Sequence, residues 1–216
     1  MTIVAVMLDI KSSFFLHKIE SAIGEEAGKK ALEKAFRYLD SRDSDGKGTV
    51  VAFDLEDIEF ATTSFVKSSL LALYQSGRFS TETATMSPAD AFGIPTYNVF
   101  PMIANANEEL EALTDEIFGR RGFPFLSVNL DELGHPTEGR MLGFLDEALL
   151  RTMRNWRDSS QAVTAAELRS QFPEEKISQT AWSNRLNDLW RLRLLQRERR
   201  GKSWLYNLVI EGINYG

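Results

Sequence analysis

The 216-residue sequence contains no cysteine and only two histidines, His17 and His135. The absence of cysteine excludes disulfide bonds, thiolate catalysis and the zinc and iron–sulfur sites that need cysteine ligands. Two histidines leave little material for a histidine-rich metal site or for a Ser-His-Asp triad. We therefore expect no catalytic residue, no metal site and no cofactor. The alternative, an enzyme, would need a deep cleft lined by Asp9, Asp54 and Glu56.

Long hydrophobic runs are also missing. No stretch of about 18 apolar residues occurs, so the sequence predicts no membrane-spanning segment and no membrane partner. The apolar start lacks the basic residues and the cleavage site of a signal peptide, and its β-branched residues favour a buried strand instead. Together with the absence of cysteine, these features favour a cytoplasmic protein.

Positive charge is scarce in the first part of the chain. Residues 1–137 contain 12 Lys and Arg against 21 Asp and Glu, whereas residues 138–216 contain 13 against 10. Such an asymmetry predicts two domains with different partners. We expect an α/β domain over residues 1–130, a polar linker rich in glycine over 131–140, and a second domain over 141–216.

The first domain alternates between strand-like and helix-like segments. Apolar and β-branched runs predict strands at residues 2–10, 49–55, 97–103 and 125–130. Helical periodicity predicts helices at residues 20–39, 64–75 and 108–118. This alternation is typical of an α/β layer, in which helices pack on a sheet. A polar stretch at 78–95 is long for a connection within a compact domain.

The second domain carries helix-capping signals. An amphipathic helix is predicted over residues 142–156. Thr164 and Glu167 form a capping box, which opens a short second helix. Ser178 caps a third helix, which the pattern ends near Leu192.

The third predicted helix has two different faces. Trp182, Leu186 and Leu189 recur at helical spacing and predict a buried face. The opposite face carries short polar side chains, which suit base edges in the major groove. Two β-rich runs follow the helix and predict a hairpin with a basic tip, which suits phosphate. The residues expected to contact DNA are Gln179, Thr180, Ser183, Asn184, Arg185, Asn187, Arg197, Arg199, Arg200 and Lys202.

This order of three helices and a hairpin resembles the winged helix-turn-helix domain of bacterial regulators, over about seventy residues. The resemblance implies that the helix capped by Ser178 enters the major groove of duplex DNA and that the hairpin is a wing. It also implies a role in transcription regulation. A homodimer is expected, because many such proteins bind as symmetric dimers. The alternative is that the domain contacts proteins instead of DNA.

The segment VVAFDLEDIEFATTSFVKSSL carries a second resemblance. Its strand ends in Asp54-Leu55, apolar Ile58 and Phe60 follow, and hydroxyl residues begin the next helix. This pattern is similar to the STAS domain of anti-sigma-factor antagonists, and more closely to the STAS-like domains of bacterial regulatory proteins. The resemblance implies an α/β fold with a STAS-like mixed sheet and packed helices. It also implies a signalling role through a protein partner, a kinase-like ATPase.

Three hydroxyl residues, Thr62, Thr63 and Ser64, form the expected phosphorylation or partner switch. In the antagonists the phosphorylated serine follows an aspartate, and Thr63 falls on that serine. Two departures affect this assignment, because Thr62 replaces the aspartate and Phe65 replaces a glycine. The simpler alternative is that a threonine caps the helix. A protein-interaction module without DNA binding is the alternative function for the whole chain.

Overall fold

The computed structural model describes residues 13–41, 48–76, 99–157 and 162–210. The strand predicted at 2–10 and the polar stretch at 78–95 lie outside these residues. The elements of the first part are β1 (Ser13–Lys18), α1 (Gly24–Asp40), β2 (Thr49–Asp54), α2 (Thr63–Val66), a π-helical turn (Lys67–Leu71), α3 (Ala72–Gln75), β3 (Val99–Ala104), α4 (Glu108–Gly119), β4 (Pro124–Leu130) and β5 (Pro136–Gly143).

The remaining elements form a unit of helices and one hairpin, here called the C-terminal unit (residues 147–157 and 162–210). Its elements are α5 (Glu147–Arg157), α6 (Ala165–Gln171), a 3₁₀ turn (Pro173–Glu175), α7 (Gln179–Arg191), β6 (Leu195–Arg200) and β7 (Ser203–Leu208). Strands β6 and β7 pair antiparallel in a separate two-stranded sheet. No described helix combines the length and apolar character needed to cross a bilayer.

The five strands of the first part form one mixed sheet in the order β1-β2-β3-β4-β5. The first four strands are parallel, and β5 is antiparallel to β4. Because successive parallel strands are neighbours and crossovers are right-handed, the connecting helices lie on one face of the sheet. Val51, Phe53 and Ile103 form that face and pack against α1, α2, α3 and α4. The predicted α/β layer with a mixed sheet is confirmed.

Gly28 allows α1 to lie close to the helix that begins at Thr63. A Cβ at this position would stand 2.0 Å from Ser68 Oγ and 2.8 Å from the Phe65 carbonyl oxygen. Ser68 lies in the π-helical turn, and its hydroxyl donates to the carbonyl oxygen of Glu25 in α1 at 3.1 Å. The two helices are therefore held together through a contact that only glycine permits.

The opposite face of the sheet is covered by the C-terminal unit. Val50, Phe100 and Met102 alternate with the residues of the helix face, and they share one hydrophobic core with residues of α5, α7 and β6. Trp156 and Trp182 are the largest side chains that the C-terminal unit contributes to this core. A parallel sheet that is apolar on both faces needs a cover on each. The C-terminal unit supplies the second cover.

The end of the first part differs from the expected division of the chain. The residues expected to be a linker, 131–140, contain a turn and then the first five residues of β5. The helix predicted from residue 142 begins at Glu147, because Leu142 extends β5 and is buried in the core on the helix face. The polar, glycine-containing sequence of β5 gives little strand signal, since only one of its edges is paired.

Candidate nucleic-acid interface

The turn between α6 and α7 is built from local capping interactions. The Thr164 hydroxyl oxygen accepts from the Glu167 amide at 3.3 Å, and Glu167 accepts from the Thr164 amide at 2.6 Å. Ser178 Oγ accepts from the Ala181 amide at 3.2 Å and caps α7. Between the helices, Lys176 has a φ of 53°, in the left-handed region. The predicted capping box and the predicted cap at Ser178 are confirmed.

Helix α7 has one buried and one exposed face. Trp182, Leu186 and Leu189 are buried in the core shared with the sheet. The outer face of the N-terminal half is polar and exposed, and we call it the polar strip; it consists of Gln179, Thr180, Ser183 and Asn184. These four side chains carry both donors and acceptors of hydrogen bonds. The strip can therefore make bidentate contacts to a polar ligand surface.

Two other residues predicted to contact DNA are turned toward the protein. The Arg185 guanidinium lies 5.6 Å from the centre of the Trp182 ring, and its Nη1 donates to Thr152 Oγ1 at 3.4 Å. Asn187 Oδ1 accepts from Arg197 Nη1 at 2.8 Å. These contacts connect α7 to α5 and to β6, so they orient the helix.

Arg197 lies between two tryptophan rings. Its guanidinium carbon is 3.3 Å from the ring centre of Trp190 on α7 and 4.2 Å from that of Trp204 on β7. Burial lowers the pKa of Arg197, and its hydrogen bond to Tyr206 opposes this shift. Burial has the opposite effect on the Tyr206 hydroxyl, whose pKa it raises. Because an arginine stays protonated in proteins, the charged guanidinium of Arg197 makes cation–π contacts with both rings and so joins the hairpin to α7.

The tip of the hairpin carries exposed positive charge. Arg200, Gly201 and Lys202 are exposed, and Gly201 has a φ of 60°, which favours glycine at the turn. Arg199 is exposed as well, lies 4.9 Å from the Trp204 ring centre and donates to the Gly201 carbonyl at 3.1 Å.

Comparisons with models of protein families, with curated proteins and with solved structures find no match to this chain.

A second cluster lies where β1 and β2 end. The Thr62 hydroxyl oxygen accepts from the Gly24 amide at 2.8 Å and from the Phe65 amide at 3.3 Å, so it caps α2 and also joins two loops. Thr63 is exposed in the first turn of α2. The joined loops expose two apolar side chains, since Ile23 is 54% and Phe60 is 55% exposed. We call Ile23, Phe60 and Thr63 the strand-end patch.

Asp54, which the enzyme alternative needed in a cleft, acts as a loop anchor. It is buried, and its Oδ1 accepts from Asn105 Nδ2 at 3.0 Å and from the Glu56 amide at 3.2 Å. Asp9 lies outside the described residues. Among the residues that the structure describes, no group of three or more His, Asp and Glu side chains is placed to hold a metal ion.

Sequence reasoning missed the residues that position the interface. Arg193 follows α7 and is buried against the first part of the chain, where its Nε donates to the Tyr74 carbonyl at 2.7 Å. The missed residues also include Trp190 and Trp204, which hold Arg197 between their rings. The available signal was the position of Arg193 after the end of α7, where a left-handed residue is common and is usually glycine. Arg193 adopts that conformation, with a φ of 61°.

Proposed function

We propose that this protein is a cytoplasmic, bacterial-type transcription regulator that binds duplex DNA through its C-terminal unit. In this proposal the unit is a winged helix-turn-helix domain, α7 is the helix that enters the major groove, and the hairpin is the wing. The observation that carries it is the polar strip of α7, which is exposed on the side of the helix opposite the buried Trp182, Leu186 and Leu189. A basic hairpin tip follows the same helix in the chain.

The chemistry of the polar strip suits base edges. Helix-turn-helix proteins contact bases with the N-terminal residues of the second helix, and the strip occupies that half of α7. Asn184 and Gln179 can pair bidentately with adenine, and Thr180 and Ser183 can bond to several bases. The cations of the wing tip, Arg199, Arg200 and Lys202, supply phosphate contacts.

In this proposal Arg185, Asn187 and Arg197 position α7 and the wing and do not contact DNA themselves. Their polar atoms are engaged with α5, with β6 and with the two tryptophans. They set the angle between α7 and the wing, and the strip and the tip make the DNA contacts. Regulatory DNA binders depend on such fixed geometry, because a base contact tolerates little misalignment.

The first part of the chain is proposed to be a STAS-like domain that binds a protein partner, such as a kinase-like ATPase. The strand-end patch supports this role, because it combines two exposed apolar side chains with an exposed hydroxyl. Of the three hydroxyl residues at the switch, Thr62 is occupied by capping and Ser64 Oγ lies 3.1 Å from the Thr62 hydroxyl. Thr63 is therefore the proposed site of phosphorylation. No catalytic role is part of the proposal.

The test is selection of bound fragments from a random duplex pool, followed by mobility shifts with the selected site. Binding should weaken steeply with salt, and Lys202→Glu should reduce affinity for all sequences and lower the salt slope by about one. Asn184→Ala should instead cost roughly five- to a hundredfold on the selected site and little on other DNA. The variant Lys30→Glu makes the same charge change at an exposed position of α1 and should bind DNA as the wild type does.

A second candidate is a protein-interaction module that binds no DNA. It is favoured by the contacts that half-buried Arg185 and Arg197 make within the protein, which engage two of the cations expected to bind DNA. The exposed acidic residues Asp188 and Glu198 favour it as well. If no duplex shifts the protein even at low salt, the DNA proposal is wrong and this candidate remains.

A further inference from the structure

Strand β5 presents an open edge of the main sheet. It stands last in the strand order, and among the described residues no strand pairs with its outer edge. Thr137, Glu138 and Arg140 are exposed along it. An open edge offers unpaired amide and carbonyl groups to another strand, so this edge can accept one.

We propose that the occupant of this edge is the β5 strand of a second copy of this chain. The two strands run antiparallel about a two-fold axis at Gly139, and the two sheets join into one of ten strands. This inference does not rest on DNA binding. A two-fold contact uses the same surface on both copies, so the strand must complement itself.

The charges of β5 provide that self-complementarity. With Gly139 opposite Gly139 of the second copy, Glu138 lies opposite Arg140 of the second copy, and Arg140 lies opposite its Glu138. Glu138 and Arg140 project from the same face of the sheet, since they are opposite Asn129 and Ser127 of β4. Opposite charges at facing positions of antiparallel strands stabilise the pairing.

Neighbouring registers lack this match. Centring the axis on Glu138 places two glutamates opposite each other, and centring it on Arg140 does the same for two arginines. Like charges at facing positions are destabilising. Arg140 also pairs with Glu111 within its own chain, and the five donors of a guanidinium are enough for both carboxylates.

The ends of β5 carry the apolar part of the same surface. Leu133 precedes the strand and is 81% exposed, and Phe144 follows it and is 55% exposed. Because the two strands run antiparallel, the end of β5 that precedes Phe144 lies beside the turn at 132–134 of the other copy, which carries Leu133. Leu133 of one copy and Phe144 of the other therefore lie close together at each end of the contact, where each side chain covers the other.

The cysteine-free sequence allows a sharp crosslinking test. Facing residues of antiparallel strands have Cα atoms about 4.5–5.5 Å apart, which suits a disulfide. Gly139→Cys should therefore form an intermolecular disulfide under mild oxidation. In the same register the two copies of residue 137 are roughly 14 Å apart, so the matched variant Thr137→Cys should crosslink at least tenfold more slowly. Equal crosslinking of both variants, or none by Gly139→Cys, would overturn the proposal.

A charge exchange tests the register without cysteine. Glu138→Arg places arginines opposite arginines, and Arg140→Glu, combined with Glu111→Gln to avoid a new acidic pair, places glutamates opposite glutamates. Each variant alone should raise the dimer dissociation constant about tenfold or more. An equimolar mixture restores both ion pairs and should re-form the dimer.

The readout is sedimentation equilibrium of the full chain over a concentration series. The control Glu20→Arg makes the same charge change just after β1, the strand at the other edge of the sheet, and should have the dissociation constant of the wild type. A wild type that is monomeric throughout the series refutes the inference. So do variants that dimerise as tightly as the wild type, or a mixture that stays monomeric when both variants are folded.

Discussion

Arg193 and Tyr74 are joined in both directions. Arg193 Nε donates to the Tyr74 carbonyl at 2.7 Å, and the Tyr74 hydroxyl donates to the carbonyl of Leu192, the neighbour of Arg193, at 2.9 Å. The same guanidinium donates to the carbonyls of Ser76 and Val99. Arg193 is only 5% exposed. The end of α7 is thereby fixed to the end of α3 and the start of β3, so the C-terminal unit is not joined to the sheet by a simple hinge.

Replacing Arg193 with glycine should destabilise the protein. Its φ of 61° favours glycine, so Arg193→Gly relieves backbone strain while it leaves three carbonyl groups without their charged donor. We expect a net loss of about 3 kcal/mol in the free energy of unfolding, measured by urea denaturation. The control is Lys176→Gly, which has the same backbone conformation on an exposed residue and should stabilise by about 1 kcal/mol. If Arg193→Gly stabilises the protein as Lys176→Gly does, the side-chain contacts are not what retains Arg193.

Arg197 and Arg200 should separate stability from binding. Arg197→Ala removes the guanidinium between Trp190 and Trp204 and should lower the free energy of unfolding by about 1–2 kcal/mol, with a change in tryptophan fluorescence. Arg200→Ala, on the exposed tip, should leave stability within about 0.5 kcal/mol and weaken DNA binding. An unchanged melting temperature for Arg197→Ala would contradict the structural role.

His17 should make stability depend on pH. It is buried, and neither ring nitrogen has a hydrogen-bond partner among the described residues. Burial lowers the pKa of His17 to about 4, with a further lowering by Lys34 and an opposing effect of Glu20. In the unfolded chain the pKa of this histidine is about 6.5, so the unfolded state binds the proton more readily than the folded state does. The stability that neutral His17 allows is therefore present above about pH 6.5 and is lost as the pH falls toward 4.

The variant His17→Phe should flatten this dependence, because phenylalanine fits beside Phe15 and Phe53 and does not titrate. Urea denaturation at a series of pH values should show the variant gaining stability relative to the wild type between pH 6.5 and 4. Parallel profiles for the two proteins would show that burial does not perturb this histidine.

Thr62 and Thr63 should differ although they are adjacent threonines. Thr62 accepts from two backbone amides in two loops, so Thr62→Ala should cost about 1–2 kcal/mol, and Thr62→Ser should restore most of it. Thr63 is exposed, so Thr63→Ala should stay within about 0.5 kcal/mol. Chemical denaturation of the three variants measures this. Equal losses at the two positions would contradict the assignment of the cap to Thr62.

Local signals were sufficient for most helices and strands. The caps at Thr164 and Ser178 each lie where a short polar side chain precedes a segment of helical pattern, and each accepts the expected backbone hydrogen bond. Asn107 caps α4 in the same way. The buried face of α7 follows from helical spacing, and β2 follows from a continuous apolar run. These features depend on residues within a few positions of one another, so one sequence contains the information.

The sequence by itself therefore determined most of the helices, strands β2 to β4 and the hairpin, together with the face that α7 buries, but it did not predict β1 or β5. Only the tertiary structure decided which of the polar residues make contacts within the protein. Arg193 and Arg197 are polar in sequence, yet each is held by partners that lie far along the chain or across a hairpin. Strand β5 exists because β4 offers it backbone hydrogen bonds, a pairing that its own side chains do not encode. The polar strip of α7 and the tip of the hairpin remain exposed because the other face of α7 is buried in the core and because Arg197 joins the hairpin to Trp190.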